Sequence, residues 1–176
     1  MKIEVKEKKC AEYYDELLFI QSNYKKILNN KIKKVSRMTM SFVKYAVLSI
    51  IFFCLTLLLY LKTKDNFYFI ICGVYILLVI CSLYLVLITK KRVKELMTND
   101  EDTIININTK NIEHESTNSI FKISWEDMAF VLINKYSICF IPKTTKNSLV
   151  CVPISYKEDI IKLLKKYKKD KLIREK

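Results

Sequence analysis

The sequence predicts a membrane α+β protein: an N-terminal amphipathic helix, a two-helix transmembrane hairpin and a small antiparallel-sheet domain closed by a C-terminal helix. Three observations carry that expectation. Two long apolar runs lie almost back to back between Phe42 and Thr89. After Thr103 apolar and polar residues alternate with a period of two, the rhythm of strands. Charge and grease are segregated: net charge is +13 and 28% of residues are charged, yet 51% are hydrophobic and mean hydropathy is +0.11. With 176 residues the chain divides naturally into an N-terminal segment 1–41, a hairpin 42–89 and a domain 90–176. Its one glycine, Gly73, excludes the glycine-rich loops that cradle phosphates, since those need several glycines for close backbone approach.

Residues 11–37 read as one helix. Tyr13, Leu17, Ile20, Tyr24 and Ile27 recur at spacings of four and three, and Leu28, Ile32 and Val35 extend a neighbouring stripe. Lysines crowd the opposite face toward the C-terminal end. The first half is expected to dock on the C-terminal domain, and the basic second half to lead into the bilayer.

The hairpin follows, with spans at about 43–62 and 67–89. The uncharged stretch Tyr45–Leu61 reaches about 26 Å as a helix, extended by Phe42 and Val43 and by snorkelling of Lys44 and Lys62. Phe67–Thr89 reaches about 35 Å, enough to cross a hydrocarbon core with some tilt. Neither run has polar residues every third or fourth position, as an exposed face in water would require. The first begins some forty residues into the chain behind a charged segment without a small-residue cleavage site, unlike a secretory signal. The connection Lys62–Asn66 is short enough to bring both termini to one side. Lys25, Lys26, Lys31, Lys33, Lys34, Arg37 and Lys44 precede the spans and Lys90, Lys91, Arg92 and Lys94 follow them, against Lys62 and Lys64 in the loop. Positive flanks stay inside, so both termini are expected in the cytoplasm of a cell with an inner (plasma) membrane. In that reducing compartment the six cysteines read as small apolar fillers, without CxxC or zinc-ligand spacing and without disulfides.

In the domain, Ile105 alternates with Asn106, Phe121, Ile123 and Trp125 share a face opposite Lys122 and Ser124, and Val131/Ile133, Ile138/Phe140 and Val150/Val152 continue the rhythm. Turn residues at 109–111, 117–119, 134–137 and 143–148 divide this into five or six strands. A helix is expected from Ser155, where Ser155 and Glu158 are spaced as a capping box, with Ile160, Leu163, Leu164 and Tyr167 facing the sheet. A small curved sheet closed by such a helix is a PH-like arrangement, although the pattern alone supports only a small α+β module.

The order of parts, together with Phe121-Lys122-Ile123-Ser124-Trp125-Glu126-Asp127, Phe140-Ile141-Pro142-Lys143 and the closing helix, resembles the YcxB-like family of two-pass bacterial membrane proteins. The likeness covers nearly the whole chain, with glycine-free strand turns as a departure. It implies a cytoplasmic PH-like C-terminal domain and supplies no catalytic residues or cofactor.

Chemistry is sparse. His114, the only histidine, stands in the polar stretch Asn111–Ser119 and reads as a solvated turn residue without companions for a metal or a general base. No serine or cysteine has a nucleophile's context, and Glu126 and Asp127 read as turn-capping carboxylates. No enzyme, cofactor or metal site is expected. The spans carry no ionisable group, as a transport pathway would, and two helices enclose no pore without self-association. What remains is basic charge. Lys33, Lys34, Arg37, Lys44, Lys90, Lys91, Arg92 and Lys94 are the candidate contacts to anionic lipid headgroups. The tail bears Lys162, Lys165, Lys166, Lys168, Lys169, Lys171, Arg174 and Lys176 against Asp170 and Glu175, as a frayed solvated helix end or a second lipid contact. For a tethered chain the inner leaflet is the nearer polyanion, so membrane lipids and a protein are the expected partners, a homo-oligomer stays open, and nucleic acid is not expected. The leading expectation is an inner-membrane protein that displays its module to a protein ligand. The alternative is a bacteriocin or toxin immunity protein acting at the membrane.

Overall fold

A computed structural model describes residues 2–5, 9–32, 34–99, 103–116, 119–144 and 149–175. The chain opens with strand β1 (Lys2–Val5) and helices α1 (Ala11–Ser22) and α2 (Tyr24–Leu28). The helix expected over 11–37 is therefore shorter and broken. At Asn23 the side-chain amide donates to the Phe19 carbonyl at 3.0 Å, and beyond α2 Asn30 turns to φ 56°. Asparagine competes for local backbone groups and tolerates the left-handed region, which the apolar periodicity did not weigh.

Helices α3 (Met38–Thr63) and α4 (Asn66–Thr98) take up the two apolar runs. Both are long and apolar enough to cross a membrane. At 1.5 Å per residue they measure about 39 and 50 Å, so α4 continues well past its apolar run. Two residues turn the hairpin. Lys64 adopts φ 55° and its amide bonds to the Tyr60 carbonyl, while the Asp65 carboxylate accepts from the Phe67 amide at 2.9 Å to cap α4. Phe52 stacks on Tyr75 and Tyr60 meets Phe69 across the seam. Ser49, Thr56 and Thr89 return their hydroxyls to carbonyls four residues back, so these three groups are satisfied within their own helices. That outside is apolar all round, with Leu58, Ile70 and Leu87 about two-thirds exposed.

The strands form two four-stranded sheets. In the first, β1, β2 (Thr103–Ile107), β3 (Asn111–Ser116) and β4 (Ser119–Ser124) are antiparallel in that order. In the second, β7 (Val150–Pro153), β6 (Ser137–Pro142) and β5 (Met128–Ile133) are antiparallel, and β8 (Ile173–Glu175) adds in parallel beside β5. Asparagines replace glycine at the turns: the Asn108 side chain accepts from the amides of Lys110 and Asn111 to fold β2 onto β3. Between the sheets Ile105, Ile107, Ile112, Ile123, Trp125, Val131, Phe140 and Val152 form one core. It is closed by Ile160, Leu163 and Leu164 of helix α5 (Lys157–Lys166). The Trp125 indole N–H reaches the Asn108 carbonyl at 2.9 Å, so the ring is buried without an orphaned donor.

The second sheet is buried on its outer face as well. Phe130, Leu132, Cys139 and Ile141 point away from the inter-sheet core onto Phe19, Ile20, Tyr24 and Ile27 of α1 and α2. β6 is accordingly buried at every residue. This matches the expectation that the first half of the amphipathic segment docks on the domain.

Several local expectations are corrected. β1 and β8 had no sequence signal, being short and defined only by their partners. Phe121 does not share the core with Ile123 and Trp125: it is 40% exposed, with its ring beside the His114 imidazole. The closing helix starts later than expected: residues 154–156 make a 3₁₀ turn and α5 starts at Lys157 after Tyr156, whose side chain makes no capping bond. The basic tail is not a frayed helix end. After a second 3₁₀ turn at 170–172 it becomes β8, where the Arg174 guanidinium lies 4.2 Å from the Phe130 ring centre and Glu175 pairs with Lys157 at 2.9 Å.

Trp125, the sole tryptophan, reports on this core. In denaturant titrations of the detergent-solubilised chain followed by its fluorescence, Phe140→Ala is expected to cost about 3–5 kcal/mol and Ile20→Ala about 2–5 kcal/mol. Leu58→Ala, on the exposed face of α3, should leave the midpoint unchanged.

Candidate functional site

Helix α1 is a wedge between the sheets and the hairpin. Tyr13, Tyr14 and Leu18 pack against Val93, Leu96 and Met97 of α4, while Phe19 and Ile20 face the second sheet. Two adjacent acids, Asp15 and Glu16, are buried between these faces. The Thr39 amide, in the first turn of α3, donates to Asp15 Oδ1 at 2.9 Å. Asp15 thus supplies from another element the cap that Arg37, at the N-cap position, does not. Glu16 turns the other way: its Oε2 accepts from the Ser137 hydroxyl at 2.5 Å and the Tyr136 amide at 3.3 Å, at the β5–β6 turn. Burial pushes the Glu16 carboxyl above its ordinary value of 4.5, against those hydrogen bonds. The Tyr13 hydroxyl donates to the Cys151 carbonyl on β7 at 3.0 Å and the Tyr24 hydroxyl to the Pro142 carbonyl on β6.

A cavity of about 430 Å³ opens where α1, α3 and α4 meet. Ala11, Glu12 and Asp15 line one wall, Arg37, Thr39, Met40 and Val43 a second, and Lys90, Val93, Lys94 and Met97 the third. Arg37 pairs with Glu12 at 3.6 Å. Of the eight candidate headgroup residues, the structure brings Arg37, Lys90 and Lys94 together here. Lys34, Lys44, Lys91 and Arg92 are exposed elsewhere, and Lys33 lies outside the described residues. Glu12 and Asp15 of the cavity escaped the sequence reading, although Asp15, with Glu16 beside it, was a visible interruption of the apolar run Tyr13–Ile20.

His114 is not a solvated turn residue. It sits in β3 opposite Phe121 and lines a second cavity of about 250 Å³ with Lys9, Tyr13, Tyr14 and Cys151. Desolvation, with the charge of Lys9 in support, holds its imidazole below the ordinary 6.5, and its Nδ1 is buried with no hydrogen-bond partner among the described residues. The next residue back, Glu113, points to the opposite face and pairs with Lys122 at 2.7 Å. Among the described residues no group of three or more His, Cys, Asp or Glu is placed to hold a metal ion.

Two cysteines are more than fillers. Cys139 and Cys151 stand directly opposite on β6 and β7, with Cα atoms 4.2 Å apart, and are joined as a disulfide. Strand register makes that pairing, which a separation of twelve residues does not disclose. Cys10, Cys54, Cys72 and Cys81 are free.

Comparison with protein-family models, curated proteins and solved structures gives no match. The YcxB-like resemblance therefore rests on the residues alone.

Glu16, buried, and His114, half-buried, act in opposite directions on stability. Glu16, with its folded pKa raised, contributes stability that is fully present below 4.5 and lost as pH rises through the raised value. His114, with its folded pKa lowered, contributes stability present above 6.5 and lost as pH falls through the lowered value. Thermal melting across pH is expected to lose its acid-side decline in His114→Gln and its fall above pH 4.5 in Glu16→Gln. Asp15→Ala, which uncaps α3, should lower stability by about 0.5–2 kcal/mol in the same assay.

Proposed function

We propose that this chain is a two-pass inner-membrane protein of the YcxB-like plan, with both termini cytoplasmic, that displays its two-sheet, PH-like module to a protein ligand, anionic headgroups playing a supporting role. Two helices of membrane-spanning length and composition support the location, and the basic residues on both flanks of the hairpin support the orientation, while the Cys139–Cys151 disulfide, a bond uncommon in reducing cytosol, stands against a cytoplasmic module. That β1, before the hairpin, and β8, after it, both belong to the module is in keeping with this orientation.

The observation that carries the display role is strand β4. It is the last strand of the first sheet, and its Ile120 and Phe121 are 73% and 40% exposed. Among the described residues no further strand pairs with β4, and an open edge bearing apolar side chains invites an extended segment of another protein, with backbone pairing for affinity and the two side chains for selectivity. The wedge of α1 holds that edge in a fixed relation to the hairpin, so a ligand is met at a set height above the bilayer.

A photo-crosslinking residue in place of Lys122 on β4 is expected to capture a protein in intact cells. One in place of Lys110, on the exposed β2–β3 turn, is expected to capture none. Ile120→Asp/Phe121→Asp should abolish the adduct, and an adduct that survives, or one equally strong from position 110, overturns the reading. Reporter fusions at the two ends should both report the cytoplasm, and one inserted between Lys64 and Asp65 the opposite side.

A further inference from the structure

We infer that the cavity at the meeting of α1, α3 and α4 is a binding site for one anionic glycerophospholipid of the inner leaflet. The inference rests on the proposed reading that α3 and α4 cross a bilayer, and deepens it by naming the ligand class and the residues. The cavity lies at the depth where the apolar runs end. Val43 and Lys90 stand at that boundary, and Arg37 and Lys94 lie about a helical turn or more toward the module. Lys90 and Lys94 are four residues apart on α4 and therefore share a face.

Charge complementarity selects the occupant. Both acids in the cavity are already engaged, Asp15 with the amide of Thr39 and Glu12 with Arg37. Among the described residues Lys90 and Lys94 form no ion pair, so two cations face the cavity uncompensated beside the positive end of α3. Below them the wall turns apolar: Met40 and Val43 are 47% and 43% exposed and continue into the greasy outside of α3. A phosphodiester between the two lysines would leave its acyl chains running down Met40 and Val43. A soluble anion would use the lysines and leave that wall in contact with water. The volume, about 430 Å³, is within the ~300–1,000 Å³ range of small-ligand sites and accommodates a headgroup with its glycerol.

The test is native mass spectrometry of the full chain in detergent, titrated with phosphatidylglycerol or with phosphatidylcholine of the same acyl chains. The wild type is expected to retain one phosphatidylglycerol in preference to phosphatidylcholine. Lys90→Gln/Lys94→Gln should reduce that preference about tenfold or more, given that each lysine beside an anionic surface is worth roughly fivefold. Lys162→Gln/Lys165→Gln, the same charge change on α5, should not reduce it. Val43→Trp, filling the wall, should lower binding of both lipids with the melting temperature unchanged. An unaltered preference in the α4 variant, or an equal loss in the α5 variant, overturns the site in favour of diffuse attraction. Displacement of the bound lipid by inorganic phosphate overturns the lipid as occupant. None of these outcomes touches the β4 crosslink, so the site and the protein-display reading fail separately.

Discussion

Burial of two neighbouring carboxylates on one helix is the constraint on which the rest of the molecule hangs. A charged or strongly polar group inside a protein must find donors or be expelled. Asp15 finds its donor on α3 and Glu16 finds its donors at the β5–β6 turn, so the satisfaction of consecutive residues requires both the hairpin and the second sheet to be in place. Sliding α1 along either partner would strand one carboxylate. The apolar contacts around it, Tyr14 and Leu18 toward α4 and Phe19 and Ile20 toward the sheet, supply burial without direction. The acids supply the direction.

That arrangement also explains why the second sheet departs from alternation. A sheet with one face in water reads apolar, polar, apolar; a sheet covered on both faces reads continuously apolar. Met128–Ile133 and Ser137–Pro142 are of the second kind, because α1 and α2 cover what would otherwise be the wet side. The first sheet keeps the wet face, with Glu113 and Lys122 paired across it. The stripe Tyr13, Leu17, Ile20, Tyr24, Ile27 and the double-sided strands are thus two halves of one interface.

Much of this was legible in the chain. The apolar runs are long and unbroken, and local composition alone decides them. The strands from Thr103 to Pro153 follow the two-residue rhythm, and Trp125 is in the core where its period put it. What failed did so for lack of local signal. β1 and β8 exist only through partners far along the sequence. Asn23 and Asn30 broke a helix whose periodicity ran on regardless. Phe121 has the right period yet stays 40% exposed beside His114. At the candidate lipid site the basic residues were visible, while their selection was not: which three of eight converge depends on how α4 turns as it leaves the hairpin. His114 and the Cys139–Cys151 pair were hidden by strand register, which sequence separation does not encode.

The hairpin interrupts a sheet rather than preceding it. β1 finds its place only against β2, with Val5 opposite Thr103, so nearly a hundred residues intervene between two edges that must zip together. Closing so long a loop is entropically slow. During synthesis β1 must wait for its partner β2 until both greasy helices have been made. The module can therefore be completed only after the hairpin has been made.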